Sequence, residues 1–525
     1  KDSAGKNLIN YFSKPCKPTK SNGGRTRNLP EHDLEKWQQF IQYNQQDVEV
    51  ERAVRKALEK YPMPESEWRL WFIDQEITDR GVRIDPVLVQ HAIRCSELHR
   101  EKLEAEAVKL TGLENPNSVA QLKEWFEKAE GLEIESLNKK VIPALMSEVE
   151  SATAERVLEL RQELSKTSIR KYQAMERVIG QDGRARGLLQ FYGANRTGRW
   201  AGRIINVQNL PRNNLPDLDL ARKLLRAGDY ESLELLFESV PDTLSQLIRT
   251  AIIPDDGHRF IVADFSSIEA RVLAWLAGEK WRMDVFNSHG KIYEASAAQM
   301  FRVPIESIDK GSPLRQKGKI AELALGYGGA VGALKAMDAL EMGLTEDELP
   351  DLVKTWRAAN PNITKFWWDV EAAAHDAVKD RKITVLQYGL TFSYKSGCLF
   401  ITLPSGRRLA YLRPKIEIDT RYNKPQLTYE GVEQKLWKHL KTYGPKLVEN
   451  IVQAVSRDCL AAAIVRLHDA GYRIVFHVHD EVIAEMPFGS GSVEEVCEIM
   501  GRPIEWAPGL PLRADGFECE YYQKD

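Results

Sequence analysis

No Cys-x-x-Cys pair occurs anywhere in this chain, and no His-x-x-x-His. The six cysteines, Cys16, Cys95, Cys398, Cys459, Cys497 and Cys519, are scattered. That excludes a zinc site of the usual spacing and a disulfide framework, and it reads as free thiols in a reducing compartment. No apolar run approaches the ~20 residues that a membrane span needs, so no membrane partner is expected. Strong charge of one sign is also missing. The formal net charge is −3, so no global basic field marks a nucleic-acid binder and charge must be read locally. The opening, Lys1-Asp2-Ser3-Ala4, has neither an initiator Met nor a signal-peptide pattern. From it we expect a cut or processed, cytosolic product. Internal repeats and long low-complexity tracts are lacking too.

What is present is ample core material, 43% hydrophobic residues in 525, enough for roughly 3–4 domains or one multi-lobed body. Residues 1–30 read as extended loop, and a helical pattern follows through Trp37 and Val50. From about Pro86 to Val178 the chain reads as long amphipathic helices, broken at Asn115-Pro116-Asn117-Ser118. Arg259 to Ala263 is an apolar, partly β-branched run that stops at Asp264. Ile474 to Val478 and Glu481 to Glu485 read as two strands with His479-Asp480 between them.

Three features carry chemistry. Asp264 and Asp480 each stand at a strand end, where a carboxylate is rigidly held and can face a cleft. Two such carboxylates suit a pair of Mg²⁺ ions about 3.5–4 Å apart and in-line phosphoryl transfer; either alone could simply cap a turn. Arg315, Lys319, Leu323 and Tyr327 recur every four residues and form one winding helical stripe. It puts two cations near a helix N-terminus, suited to a triphosphate, and an aromatic ring beside Gly328 and Gly329, suited to a base. A solvated basic face is the plain alternative. Finally, Ser165 to Arg212 holds ten Lys/Arg against two acids, a local balance of +8 interleaved with Tyr172, Tyr192 and Trp200. Such a stripe suits a phosphate backbone.

In this order the residues resemble family A DNA polymerases, particularly the bacteriophage type. Asp264-Phe265-Ser266-Ser267-Ile268-Glu269-Ala270-Arg271 looks like the first catalytic motif of that family, and Arg315-x-x-x-Lys319 through Tyr327-Gly328 like its fingers helix. His479-Asp480-Glu481 looks like the third motif. Thr197-Gly198-Arg199 with Asn206-x-Gln208-Asn209-x-Pro211 looks like the one that opens the palm. The resemblance implies an α+β right-hand fold with an antiparallel palm sheet and helical thumb and fingers. It divides the chain into 1–65 (remnant of a 3′–5′ exonuclease domain), 66–185 (thumb), 186–290 and 450–525 (palm) and 291–449 (fingers).

The resemblance also implies roles. Asp264 and Asp480, with the Phe265 carbonyl, would hold two Mg²⁺, with Mn²⁺ possible, and Glu481 would tune the site. Lys319 would meet the leaving phosphates, Arg315 would clamp the terminal one, and Glu269 would exclude a 2′-OH. Tyr327 would guard the template slot. Arg199, Asn206, Gln208, Gln453 and His479 would contact DNA at the primer end, and Lys166, Arg170 and Lys171 the duplex. Leu323 stands where much of the family has Phe or Tyr, and Tyr293 where His is common near the triphosphate. The implied partners are primer–template DNA and dNTPs, with a processivity factor conceivable, and the implied location is the host cytoplasm if the source is a phage.

Tyr43-x-x-x-Asp47 resembles the last exonuclease motif, but Asp33-Leu34-Glu35 reads as a helix start, so no proofreading is expected. The alternatives are a single-subunit RNA polymerase, which Glu269 argues against, a reverse transcriptase, a DNA clamp without chemistry, and a nuclease.

Overall fold

The computed structural model describes residues 3–138, 141–166, 169–309, 311–419, 423–434 and 436–524. The chain divides into two compact units, Lys1–Arg69 and Leu70–Asp525. In the first, helices Ser3–Ser13 and Leu34–Leu58 meet through Phe12, which stacks on Phe40 at 5.6 Å and meets Trp37 edge-on at 5.1 Å. Asp33 starts the second helix by accepting from the Lys36 amide, as its position before a helical run predicts.

The second unit opens with the expected run of helices. Asp85 caps helix Pro86–Thr111, which stops at Gly112 with φ 68°, a left-handed backbone that glycine adopts without strain. Ser118 then caps Val119–Glu130, so the polar break lies where the turn-forming residues put it. Helices Ala152–Leu164 and Ile169–Val178 complete this lobe, and Leu122, Phe126, Ile142 and Leu158 form a small core of their own within it.

The main core surrounds a four-stranded antiparallel sheet in the spatial order Ile474–Val478, Glu481–Pro487, His258–Phe265, Ala514–Cys519. The central strand, Phe260 to Ala263 above all, is fully buried, which is why it reads as an unbroken apolar run. The last strand was not legible in the sequence. Gly516 allows it in, since a Cβ there would lie 2.4 Å from the Val262 carbonyl oxygen. Helix Gly444–Asp469 is mostly buried and touches strand Ile474–Val478 of the sheet.

Residues 291–449 depart from the helical expectation. Helices Ile292–Phe301, Pro313–Leu325, Glu348–Ala359 and Pro361–Lys379 are followed by a six-stranded antiparallel meander between Thr384 and Thr442. Its tightest hairpin turns at Ser396-Gly397, where both φ values are positive (51° and 79°), the requirement of a two-residue loop that matches strand twist.

The basic stretch 165–212 also needs correction as a single stripe. Arg184 is buried and bonds Glu485 at 2.8 Å and Asp255 at 2.7 Å beneath the sheet. Arg196 lies over the rings of Tyr411 and Tyr429. Arg186 pairs with Asp182, and Lys166 with Asp242. Several of these cations therefore hold the fold together rather than forming an open basic surface.

Candidate active site

Asp264 and Asp480, 216 positions apart in the chain, meet at one end of the sheet. Asp264 ends the central strand in register with Glu481. Asp480 sits in the two-residue turn between Val478 and Glu481, and its carbonyl accepts from the Phe265 amide at 3.2 Å. The turn's first residue, His479, has φ 56°, a costly conformation for a side chain of that size and one that recurs at functional sites. Burial pushes both aspartates above the usual carboxylate range. The Asp264 charge raises Asp480 further, and the Glu481 charge does the same for Asp264. Asp264 Oδ1 is buried with no donor directed at it. A buried, orphaned acceptor on Asp264, beside a second aspartate that the Asp264 charge raises, is an environment that a hard cation satisfies, so the residues fit a divalent metal.

Glu481 is not part of that pair. Its oxygens accept from the Tyr522 hydroxyl at 2.6 Å and the Lys524 ammonium at 3.0 Å. Accordingly, no group of three or more His, Cys, Asp or Glu side chains is placed to hold a metal among the described residues. Mg²⁺ is commonly held by only one or two carboxylates, with water and substrate phosphates completing its shell.

Beside the carboxylates lies a cavity of about 250 Å³, walled by Glu269, Tyr293, Glu322, Leu323, Tyr327 and Asp480 among others. The Tyr327 hydroxyl donates to Glu269 Oε2 at 2.9 Å, and Arg199 approaches Glu269 Oε1 at 3.5 Å. Leu323 is half exposed into this space. Arg315 and Lys319 lie further up the same helix, outside the cavity lining. Arg315 donates to Glu294 at 2.7 Å and its guanidinium lies over Tyr293.

That helix is fixed from behind by Glu322, which the sequence reading missed. Glu322 accepts from Arg282, Ser296 and Trp356, three residues on three other helices. Gly318 allows the close approach, because a Cβ would lie 2.3 Å from the Tyr293 carbonyl oxygen. Gly318→Ala is therefore expected to cost about 1–3 kcal/mol and to raise the KM for nucleotide as the helix is pushed off. An unchanged melting temperature and KM would contradict this packing.

A second, water-sized cavity of about 40 Å³ brings together Arg199, Gln208, Gln453 and His479 with Asp480. His479 is held at both ring nitrogens, by Arg199 at 3.1 Å and by the Gln208 carbonyl at 3.1 Å. Asn206 stands nearby with φ 54°. His477 lines the same cavity; its pKa is lowered to about 3, by burial first and then by the Arg457 charge, so it stays neutral. The structure does not gather Lys166, Arg170 and Lys171 into this cavity. Lys166 pairs with Asp242, Lys171 donates to the Ile205 carbonyl, and Arg170 is exposed. The sequence reading also missed Arg407, which joins Asp458 (2.8 Å) to the Tyr192 hydroxyl (2.9 Å) and so ties the Gly198 loop to the long helix.

A family model described as DNA polymerase family A matches residues 89–389. The chain belongs to this family and is a DNA polymerase of α+β, right-hand architecture, with helices and antiparallel sheets. It is 63% identical, over its whole length and 81% of the relative's, to the DNA polymerase of Bacillus phage SP02. It is 25% identical to the thermostable DNA polymerase I of Thermus aquaticus, over 50% of this chain and 27% of that one. Among solved structures, the POL domain of Pol1 from M. smegmatis, in complex with DNA primer-template and dNTP, matches 90% of this chain and 74% of its own. The TM-score is 0.60 at 17% identity, a likeness of fold. No helix among the described residues is long and apolar enough to cross a membrane.

Proposed function

We propose that this chain adds dNTPs to a primer 3′-OH on a DNA template, releasing pyrophosphate, with two divalent ions held by Asp264, Asp480 and the Phe265 carbonyl. The observation that carries the reading is the pair of adjacent, raised aspartates with an orphaned oxygen, set beside a cavity walled by Glu269, Leu323 and Tyr327. Bound there, Mg²⁺ or Mn²⁺ would stabilise the attacking and leaving oxygens of an in-line displacement at the α-phosphate.

In this reading 66–185 is the thumb, 186–290 and 450–525 the palm and 291–449 the fingers. Arg315 exchanges its Glu294 partner for the terminal phosphate, and Lys319, one turn along, meets the leaving pyrophosphate and supplies it a proton. Leu323 packs on the sugar, and Tyr293 lies towards the triphosphate. Glu481 shapes the field of the site from its bonds to Tyr522 and Lys524. Arg199 and Gln453 donate to purine N3 and pyrimidine O2, acceptors that every correct pair offers in the minor groove. Gln208, Asn206 and His479 hold the primer end, and Lys166, Arg170 and Lys171 contact the duplex backbone. Primer extension with four dNTPs and Mg²⁺ tests the whole.

Glu269, tied to Tyr327, fills the sugar's 2′ side. Glu269→Ala is expected to raise ribonucleotide incorporation relative to deoxyribonucleotide by about 10²-fold, since an unpaired or clashing polar group is worth several kcal/mol. Unchanged selectivity in single-nucleotide kinetics would contradict the assignment.

We also propose that residues 1–65, although they resemble the end of a 3′–5′ exonuclease domain, do not proofread in this chain. Asp33 is committed to a helix cap and Glu49 to Arg52, and Asp47 is exposed. A mismatched primer incubated with Mg²⁺ should keep its terminal nucleotide; metal-dependent release that Asp47→Ala abolishes would refute this.

A further inference from the structure

The carboxylate end of the palm sheet carries a cation of its own. Lys524 Nζ lies 3.0 Å from Glu481 Oε2 and 3.5 Å from Asp264 Oδ2, bridging the third carboxylate to one of the proposed metal-binding pair. The placement is built into the fold. The Lys524 amide donates to Asn213 Oδ1 at 3.2 Å, the Tyr522 amide donates to the Ile252 carbonyl at 2.9 Å, and the Tyr522 hydroxyl, itself accepting from Arg249, donates to Glu481. The backbone is therefore pinned at the lysine and two residues before it, while its side chain stays a quarter exposed.

We infer that Lys524 is a resident counter-ion of the active site, which balances Asp264 and Glu481 when no divalent metal is bound and which the metal must displace from Asp264. Three carboxylates at one strand end would repel one another strongly at low effective dielectric. One ammonium relieves that repulsion, but it offers neither the double charge nor the coordination that phosphoryl transfer needs. Two consequences follow. The free protein holds a divalent ion more weakly than its carboxylates would allow, so that metal binding is coupled to the arrival of nucleotide phosphates, which bring ligands of their own. Glu481, kept occupied by Tyr522 and Lys524, stays out of the metal's shell.

This inference rests on the metal role proposed for Asp264 and Asp480, and the test separates the two. Mn²⁺ binding to the full chain, without DNA or nucleotide, is followed by electron paramagnetic resonance for wild type, Lys524→Met, Lys524→Gln, Lys524→Arg and Asp480→Asn. We expect one site that Asp480→Asn removes. We expect Lys524→Met and Lys524→Gln each to tighten that site about tenfold, and Lys524→Arg, which keeps the charge, to leave it near wild type. Unchanged or weaker binding in both neutral variants, with the site still lost in Asp480→Asn, overturns the counter-ion and leaves the polymerase reading standing. Binding in Asp480→Asn equal to wild type overturns the metal assignment itself.

Discussion

Asp480→Ala should lower single-nucleotide primer extension by about 10³-fold or more while leaving primer–template binding within a few-fold of wild type, because it removes charge stabilisation from the reacting phosphate and not from the duplex contacts. Rapid-quench kinetics beside a filter-binding or anisotropy titration reads both quantities. Full extension by this variant would contradict the mechanism, and a parallel loss of DNA binding would point to a structural role. The pH dependence has a fixed sign. Burial, and then the Asp264 charge, push the Asp480 carboxyl from 3.8 up to about 7. The folded, metal-free protein therefore keeps a proton there that the unfolded chain gives up above its ordinary value. Its stability falls as pH rises between about 4 and 7. Cation binding needs the carboxylate, so Mg²⁺ affinity and extension should drop roughly tenfold per pH unit below about 7. In Asp480→Asn the acid limb of stability should flatten.

Glu322→Ala should cost the packing around helix Pro313–Leu325 about 3–5 kcal/mol, the largest single-residue stability effect expected here, because it leaves a buried guanidinium without its counter-charge. The Arg282 side chain is 1% exposed and that of Glu322 4%. Ser296 (2.8 Å) and Trp356 (3.1 Å) lose their acceptor at the same time. Amide exchange reads the effect locally, as suits a chain of two compact units where one global transition is ill defined. Protection of helix Pro313–Leu325 should fall by about 10²–10⁴-fold, the equivalent of that energy, and Glu322→Gln, which keeps the shape and one acceptor, should lose less. Nucleotide affinity should fall with it, since Leu323 rides on this helix and Tyr327 follows two residues after its end. Protection equal to wild type would show that the Glu322 hub does not hold the helix in place.

How far the sequence could be read depended on whether the physical signal was local. Strand His258–Phe265 was visible because a strand buried on both faces must be apolar throughout, and its abrupt end at Asp264 needs a reason. The His479-Asp480 turn was visible for the same reason from the other side. Helix breaks at Asn115 to Ser118 and the Asp33 cap are single-residue chemistry and were legible too. Roles for Leu323, Tyr293 and the DNA-contacting residues came from resemblance to a family and not from pattern.

What escaped was non-local. Strand Ala514–Cys519 alternates weakly and carries Asp515 and Gly516, so only its pairing with the central strand makes it a strand. The meander between Thr384 and Thr442 has a local turn signal at Ser396-Gly397, but its strands are defined by their pairing with one another. Charge counting treated Arg184 and Lys166 as one surface, although their carboxylate partners, Glu485 and Asp242, lie 301 and 76 residues away in sequence. Glu322 and Lys524 matter through partners on other elements, and nothing in their own neighbourhoods announces it.

The most direct test of the account is crystallographic. Crystals of the protein with primer–template, a non-hydrolysable dNTP and Mn²⁺ would be measured at the manganese edge. Anomalous peaks should appear in contact with both Asp264 and Asp480, with Lys524 withdrawn from Asp264. A complex in which manganese touches the nucleotide but no ion contacts both aspartates would contradict the shared site on which the mechanism depends.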